Sequence, residues 1–425
     1  MKKQVLIITY YWPPAGGPGV QRWLKFVKYL PEFGVEPIVY CPENPNYPIV
    51  DESLLVEIPE GIRIIKHPIS EPYRFASMLS KKNAKQISSG VIPKEKKQSF
   101  VQKLLLYVRG NYFIPDARKN WVKPSVKYLT KLIKDNNIDT IITTGPPHSL
   151  HLIGCQLKAQ LGVKWLADFR DPWTTIGYHK KLKLTKPSEE KHNQLEKTVL
   201  NYADEIIVTS KNTKHEFISK TERPISVITN GYDNHHIQRP SKDEKFTLAH
   251  IGSLLSERNP KELWQAISEL LEEHSDFEKA FQLKLIGVVS EDVLQTLREN
   301  SLENYIDNLG YVSHEDAIKQ QMASRVLIMV EIDSEDTKVI IPGKLFEYMA
   351  SGTPIIAVGP TDSDVEAILK STNTGHYFYY DGKDTIKSQI LSYFEAYKSN
   401  TLAVHAIGLE QYSRKSLTKR LSEII

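Results

Sequence analysis

Short apolar runs alternate with segments of helical spacing along most of the chain, and the alternation starts twice. Val5–Thr9 is a continuous apolar run of buried-strand type, and residues 10–20 form a Pro/Gly-rich loop. In Gln21–Leu30 the apolar positions Trp23, Phe26, Val27 and Leu30 recur at helical spacing, and Pro37–Cys41 returns to strand. A strand, loop, helix and strand in that order predict the entry to a parallel sheet, with ligands at the C-terminal ends of its strands. From Val122 the spacing predicts a helix to Lys134, a strand Thr140–Thr143, a helix through Leu161 and a strand Lys164–Ala167. A helix Glu189–Tyr202, a strand Glu205–Thr209, a helix Lys211–Ser219 and a strand Ile225–Thr229 follow. After the turn Asn230–Asp233 and the polar stretch Asn234–Lys245, the pattern begins again. It predicts strands at Phe246–Ile251, Gln282–Ile286, Ile306–Leu309 and Val326–Val330, separated by helices Lys261–Glu273, Asp292–Asn300 and His314–Ala323. Pro342–Pro354 then reads as a turn, a short helix and a glycine stop before the strand Ile355–Val358. A last amphipathic helix is expected over Ala406–Ile425.

At 425 residues the chain exceeds what one core usually serves. Two domains are expected, residues 1–238 and 239–405, with 406–425 as a closing helix. With 40 % hydrophobic and 25 % charged residues the composition is that of a globular protein. The two cysteines, Cys41 and Cys155, exclude a disulfide scaffold and suit a reducing compartment. The apolar run after Met1-Lys2-Lys3 stops at Tyr10-Tyr11-Trp12-Pro13-Pro14, so it reads as a first strand rather than a signal peptide. No apolar run reaches the roughly 18 residues of a membrane span, and a cytoplasmic location is expected.

The net charge of +4 conceals a basic block. Glu71–Asp135 holds 12 lysines and 3 arginines against 4 acidic residues, a net of +11. Lys81–Lys97 reads as an exposed basic loop. Ser99–Arg109 mixes Phe100, Val101, Leu104, Leu105, Tyr107 and Val108 with Lys103 and Arg109. Two readings fit this stretch: a core-facing helix, or one seated on an anionic membrane surface.

Candidate chemistry concentrates in Pro342–Pro354. Pro342-Gly343 places backbone N–H groups at a helix N-terminus, where a phosphate is favoured. Lys344 adds a point charge there, and Glu347, one turn on, could accept from two ribose hydroxyls. Together they suggest a nucleoside diphosphate site; the plain alternative is a helix whose Lys and Glu are solvated. Gly17-Pro18-Gly19-Val20-Gln21-Arg22 falls short of a dinucleotide fingerprint, and no P-loop is present. Asp362-Ser363-Asp364 reads as helix capping. His148-x-x-His151 and His235-His236 lack further clustered ligands, so no metal site is expected. His148, Asp168 and Asp171 all fall just past strand ends, where they either cap turns or meet a ligand.

These stretches, in this order, resemble the retaining nucleotide-sugar glycosyltransferases of family 4. The matching set is Gly16-Gly17, Asn230-Gly231-Tyr232-Asp233, Gly252-Ser253-Leu254 with Arg258, Gly310-Tyr311-Val312, and Pro342–Pro354. The resemblance implies the α/β GT-B fold: two Rossmann-like parallel-sheet domains facing a cleft, and a C-terminal helix crossing back to the first domain. It implies that Gly16 and Gly17 admit the donor sugar-phosphate, that Arg258 binds its diphosphate, that Tyr311 and Val312 border the base, and that Glu347 binds ribose. Gly343, Lys344 and Ser253 complete the donor set. On the acceptor side it points to His148, Asp168, Arg170 and Asp171, and the catalytic candidates are Arg258, Lys344 and Asp171.

Three departures stand out. The first Glu of the family's E-x7-E pattern is Val339, the usual Arg of the phosphate loop is Ser253, and the acceptor-side His-Asp is Arg170-Asp171. Transfer of this type mainly needs stabilised charge on the departing diphosphate and two positioned substrates. No cofactor or metal is therefore expected, the nucleotide-sugar being a co-substrate. The expected acceptor is a saccharide, free or lipid-linked, in bacterial surface polysaccharide synthesis. An anionic membrane is a further expected partner, and nucleic acid is not. Two other readings remain open, a nucleotide-sugar epimerase and a non-catalytic nucleotide-sugar-binding subunit.

Overall fold

The computed structural model describes residues 3–71, 100–233 and 238–425. The chain forms two compact units, Met1–Asn230 with Arg414–Ile425, and Gly231–Ser413.

The first unit is built on seven parallel strands: β1 (Lys3–Ile8), β2 (Val35–Pro42), β3 (Arg63–His67), β4 (Thr140–Gly145), β5 (Lys164–Phe169), β6 (Glu205–Val208) and β7 (Ile225–Val227). Their order is β3-β2-β1-β4-β5-β6-β7. β1 is buried on both faces because its residues are apolar without alternation. Leu6 and Ile8 pack with Trp121, Leu129 and Ile153, whereas Val5 and Ile7 pack with Trp23, Val27, Leu417 and Leu421 on the other face. The sheet order changes direction between β1 and β4, and ligands bind beyond the strand ends at such a point.

Leu417 and Leu421 belong to the closing helix, which spans Arg414–Ile424 rather than starting at Ala406. Gly408, at φ 61°, and the tight turn Leu409–Tyr412 occupy the intervening residues, and a left-handed glycine ends helical propagation. Helix Phe100–Tyr112 answers the question left by the amphipathic stretch only in part. Leu106 is buried with Leu182 against Tyr178 and Leu184, Leu105 is half-buried, and Leu104 and Tyr107 are exposed. The basic loop Lys81–Lys97, the Phe100 side chain and His235-His236 lie outside what the structure describes. Among the described residues no helix is long and apolar enough to cross a membrane.

The second unit has six parallel strands: β8 (Phe246–Ile251), β9 (Phe281–Ile286), β10 (Ile306–Gly310), β11 (Val326–Val330), β12 (Ile355–Gly359) and β13 (Gly375–Tyr379). The order is β10-β9-β8-β11-β12-β13, with the change of direction between β8 and β11. With helices between the strands, both units are Rossmann-like, the arrangement of the GT-B fold.

Candidate functional site

The donor candidates of the second unit gather beyond the ends of β8 and β11. The helix Lys344–Ser351 carries Lys344 in its first turn and ends at Gly352 in the left-handed region. Its first-turn amides bend back, Leu345 N–H to Pro342 O and Phe346 N–H to Gly343 O. The Lys344 ammonium donates to Ile251 O at 3.2 Å and lies 3.4 Å from His250 Nε2. Burial, reinforced by the Arg258 charge, pushes the Lys344 pKa down to about 7. Among the described residues neither Lys344 nor Arg258 has a carboxylate partner. Two neighbouring cations, neither of them in an ion pair, destabilise each other, and the carboxyl group on which the Arg258 charge acts is the buried Glu331.

The loop that approaches Lys344 begins at Gly252, φ 118°, and a Cβ there would sit 3.5 Å from the ammonium. Ser253 follows at the surface. Glu347 lies half-buried beside His314 Nε2 at 3.2 Å and Gln321 Nε2 at 3.4 Å, so its carboxylate is oriented from the helix His314–Ala323. Tyr311 is 90 % exposed and Val312 is half-buried against the core.

Glu331, directly after β11, went unnoticed in the sequence. It is buried, and its carboxylate accepts from Ser363 Oγ at 2.9 and 3.0 Å and from Tyr377 OH at 2.7 Å. Burial raises its pKa to about 7. Ser363 also caps the helix Asp364–Thr372 through Val365 N–H. Glu331 therefore joins β11 to that helix and to β13.

In the first unit a cavity of about 270 Å³ opens beyond β4 and β5, lined by Tyr11, Pro146, Pro147, His148, Asp171 and Trp173 among others. His148 is buried and stacks on Trp173 at 4.8 Å, and among the described residues neither of its ring nitrogens has a hydrogen-bond partner. Burial holds its pKa well below the usual imidazole range. Asp171 has no hydrogen-bond partner among the described residues, and burial raises its pKa. A neutral imidazole beside such a carboxyl group suits a ligand rich in hydroxyls.

Asp168 does not join them. It is fully buried, and its oxygens accept from Arg22 Nη2 at 2.9 Å, Trp23 Nε1 at 2.8 Å and Thr144 Oγ1 at 2.8 Å. Asp168 therefore ties the helix Pro18–Tyr29 to the sheet and offers nothing to an acceptor. Arg170 donates to Pro146 O and lies over the Tyr11 ring at 5.7 Å, at the edge of the cavity. A Cβ on Gly19 would collide with its guanidinium. Gly19 is thus the residue that admits Arg170, a role the sequence could not separate from those of Gly16 and Gly17. Gly17 has φ 103° ahead of the helix, and a Cβ on Gly16 would come within 2.9 Å of Ile49. Arg109, Asp116, Arg118, Tyr178 and His179 also line the cavity, with Pro115 and Leu182. They come from segments with no motif of their own.

Comparison with known proteins agrees with the fold. Residues 89–236 match the model of Glycosyltransferase Family 4, and residues 245–394 match that of Glycosyl transferases group 1. No curated protein matches the chain. Among solved structures, HepE of Anabaena in complex with UDP is similar at TM-score 0.62 and 13 % identity, over 99 % of both chains. TarM is similar at TM-score 0.59 and 13 % identity, over 100 % of this chain and 99 % of its own. Sucrose-phosphate synthase from Thermosynechococcus elongatus is similar at TM-score 0.58 and 14 % identity, over 99 % of this chain and 98 % of its own.

Proposed function

We propose that this chain, a glycosyltransferase of the GT-B fold, moves a sugar from a nucleotide-sugar donor to a saccharide acceptor with retention of anomeric configuration. The observation that carries the reading is the pair of neighbouring cations, Lys344 and Arg258, neither in an ion pair among the described residues, at the switch point of the second sheet. A diphosphate supplies the opposite charge, and more of it as the sugar bond breaks, so the pair stabilises the leaving group. HepE, similar in fold, is described in complex with UDP and with UDP-glucose, which makes a uridine donor the first to test.

The cavity around His148 and Asp171 is the acceptor side of the proposal. His148 can accept a hydrogen bond from an acceptor hydroxyl, and the flat walls of Trp173 and Tyr11 suit a sugar ring. With Lys344 and Arg258 to carry charge, transfer is expected to proceed in chelator. The acceptor in this reading is a lipid-linked saccharide for a surface polysaccharide, reached from the anionic face of a membrane. The +11 block and the exposed Leu104 and Tyr107 support that placement.

The test is transfer from UDP-sugars to saccharide acceptors in EDTA, with the product anomer read by NMR. Lys344→Ala is expected to weaken UDP binding by about 1.5–3 kcal/mol, the worth of a hydrogen bond to a charged group. Wild-type affinity in that variant, or an inverted product, overturns the corresponding half. Co-sedimentation with anionic vesicles that falls with added salt checks the membrane claim.

A further inference from the structure

Lys344 is held by more than its own helix. His250, the penultimate residue of β8, is buried, and its Nδ1 lies 3.2 Å from Ile328 O of β11. A carbonyl only accepts, so in the neutral ring Nδ1 carries the hydrogen and Nε2 presents a lone pair. Nε2 is the atom 3.4 Å from the Lys344 ammonium. An ammonium has three hydrogens. Ile251 O takes one of them at 3.2 Å, and this carbonyl is itself fixed by Tyr348, whose hydroxyl donates to it at 3.0 Å.

We propose that His250 is a positioning residue: its Nε2 accepts one N–H of Lys344 and, with Ile251 O, aims the third at the diphosphate of the donor. The inference rests on the reading of Lys344 as a diphosphate-binding cation. It also accounts for a buried polar ring near the end of β8, beside the point where the sheet order reverses. Burial and the charges of Lys344 and Arg258 outweigh the backbone groups of Ile328 and Ser253, which favour the protonated ring, and keep the imidazole neutral, so it remains an acceptor at pH 7. The groups that face the ammonium are Arg258, which repels it, the Tyr348 ring at 5.7 Å, and the His250 lone pair. Glu347, on the same helix, is oriented toward His314 and Gln321. Removing the lone pair takes away an attraction for the charged form, so Lys344 loses its proton at lower pH and diphosphate binding fails earlier as pH rises.

Calorimetric titrations with UDP and with inorganic pyrophosphate between pH 6 and 9 test this, using wild type, Lys344→Ala, His250→Phe and His250→Gln. The expected result is about tenfold weaker binding in His250→Phe at pH 7.5, with the upper pH midpoint moved down by about half a unit or more. His250→Gln, whose amide oxygen can accept, is expected to recover most of both. An unchanged midpoint in His250→Phe overturns the inference, and so does equal weakening of the Phe and Gln variants. If wild type binds neither probe, or Lys344→Ala binds both as well as wild type does, the reading of the site fails and the inference with it. Nitrogen-15 NMR of the wild-type ring needs no variant: hydrogen on Nε2 rather than Nδ1 also overturns the proposal.

Discussion

Asp168 and Asp171 stand three residues apart, and their surroundings give them opposite work. Asp168 neutralises the buried Arg22 guanidinium and fills the Trp23 and Thr144 donors. Asp168→Asn leaves that guanidinium buried without a charge partner, and breaking such a pair costs about 3–5 kcal/mol. A lowered urea midpoint is the expected result. Asp171 has its pKa raised by burial, so the folded chain keeps that proton at a pH where the unfolded chain has released it. Its contribution to stability is therefore lost as pH rises above the ordinary carboxyl range. Asp171→Asn is expected to leave the urea midpoint at pH 8 unchanged or higher, while transfer to the acceptor falls. A matched loss of stability in both variants would contradict this division. Both acids were legible as strand-end residues, but the partner that separates them, Arg22, lies 146 residues away from Asp168. Lys344 and Glu347 were legible because one short helix holds both. His250 and Glu331 were not, because a lone polar residue at the end of an apolar run looks the same whether it faces a ligand or the core.

At the scale of elements, the donor loop depends on strands ending in close contact. β8, β9 and β10 are followed or ended by Gly252, Gly287 and Gly310, all with positive φ. A Cβ on Gly287, where φ is 114°, would come within 2.6 Å of Gly252 O. Gly287→Ala is thus expected to displace the loop that meets Lys344 and to weaken UDP binding at least tenfold, with far-UV circular dichroism retained. Gly162→Ala is the control: its φ of 68° is also positive, but beyond its chain neighbours no atom among the described residues lies within 4 Å of the new Cβ, and it sits in the other unit. It is expected to lose stability without losing affinity, and calorimetry that finds the two alike would reject the loop argument. Central strands were readable because burial on both faces makes them continuously apolar. β3 was not, since the edge strand Arg63–His67 has only Ile64 and Ile65 as apolar residues. The closing helix was predicted too long because its amphipathic spacing runs on through Gly408, which the backbone uses as a break.

For the whole molecule, acid is expected to separate the two units. The first buries His148, His151, His179 and His192, and burial is the leading cause of each lowered pKa, with His151 pushed down to about 3 and His179 to about 4. The unfolded chain takes up protons below about pH 6.5 that these folded rings refuse, so stability of the first unit falls as pH drops from 6.5 toward 4. The second unit has two imidazoles whose pKa burial lowers, His250 and His376, but it also has Glu331, whose pKa is raised to about 7. The folded chain binds the Glu331 proton before the unfolded chain does, so that residue adds stability as pH falls from 7 toward 4.5. Four rings against two, with one opposing carboxyl group in each unit, Asp171 in the first and Glu331 in the second, make the first unit the more acid-labile one. Its unfolding can be followed separately, because Trp12, Trp23, Trp121, Trp165 and Trp173 lie in the first unit and Trp264 alone lies in the second. In a Trp264→Phe background the emission should shift to the red at a higher pH than the midpoint for loss of far-UV circular dichroism, which reports both units. His148→Phe keeps a flat ring against Trp173 and removes one refused proton, so it should move the fluorescence midpoint to lower pH. Coincident midpoints, or no shift in the His148→Phe variant, would mean that the buried rings do not set acid stability and that the two units unfold as one.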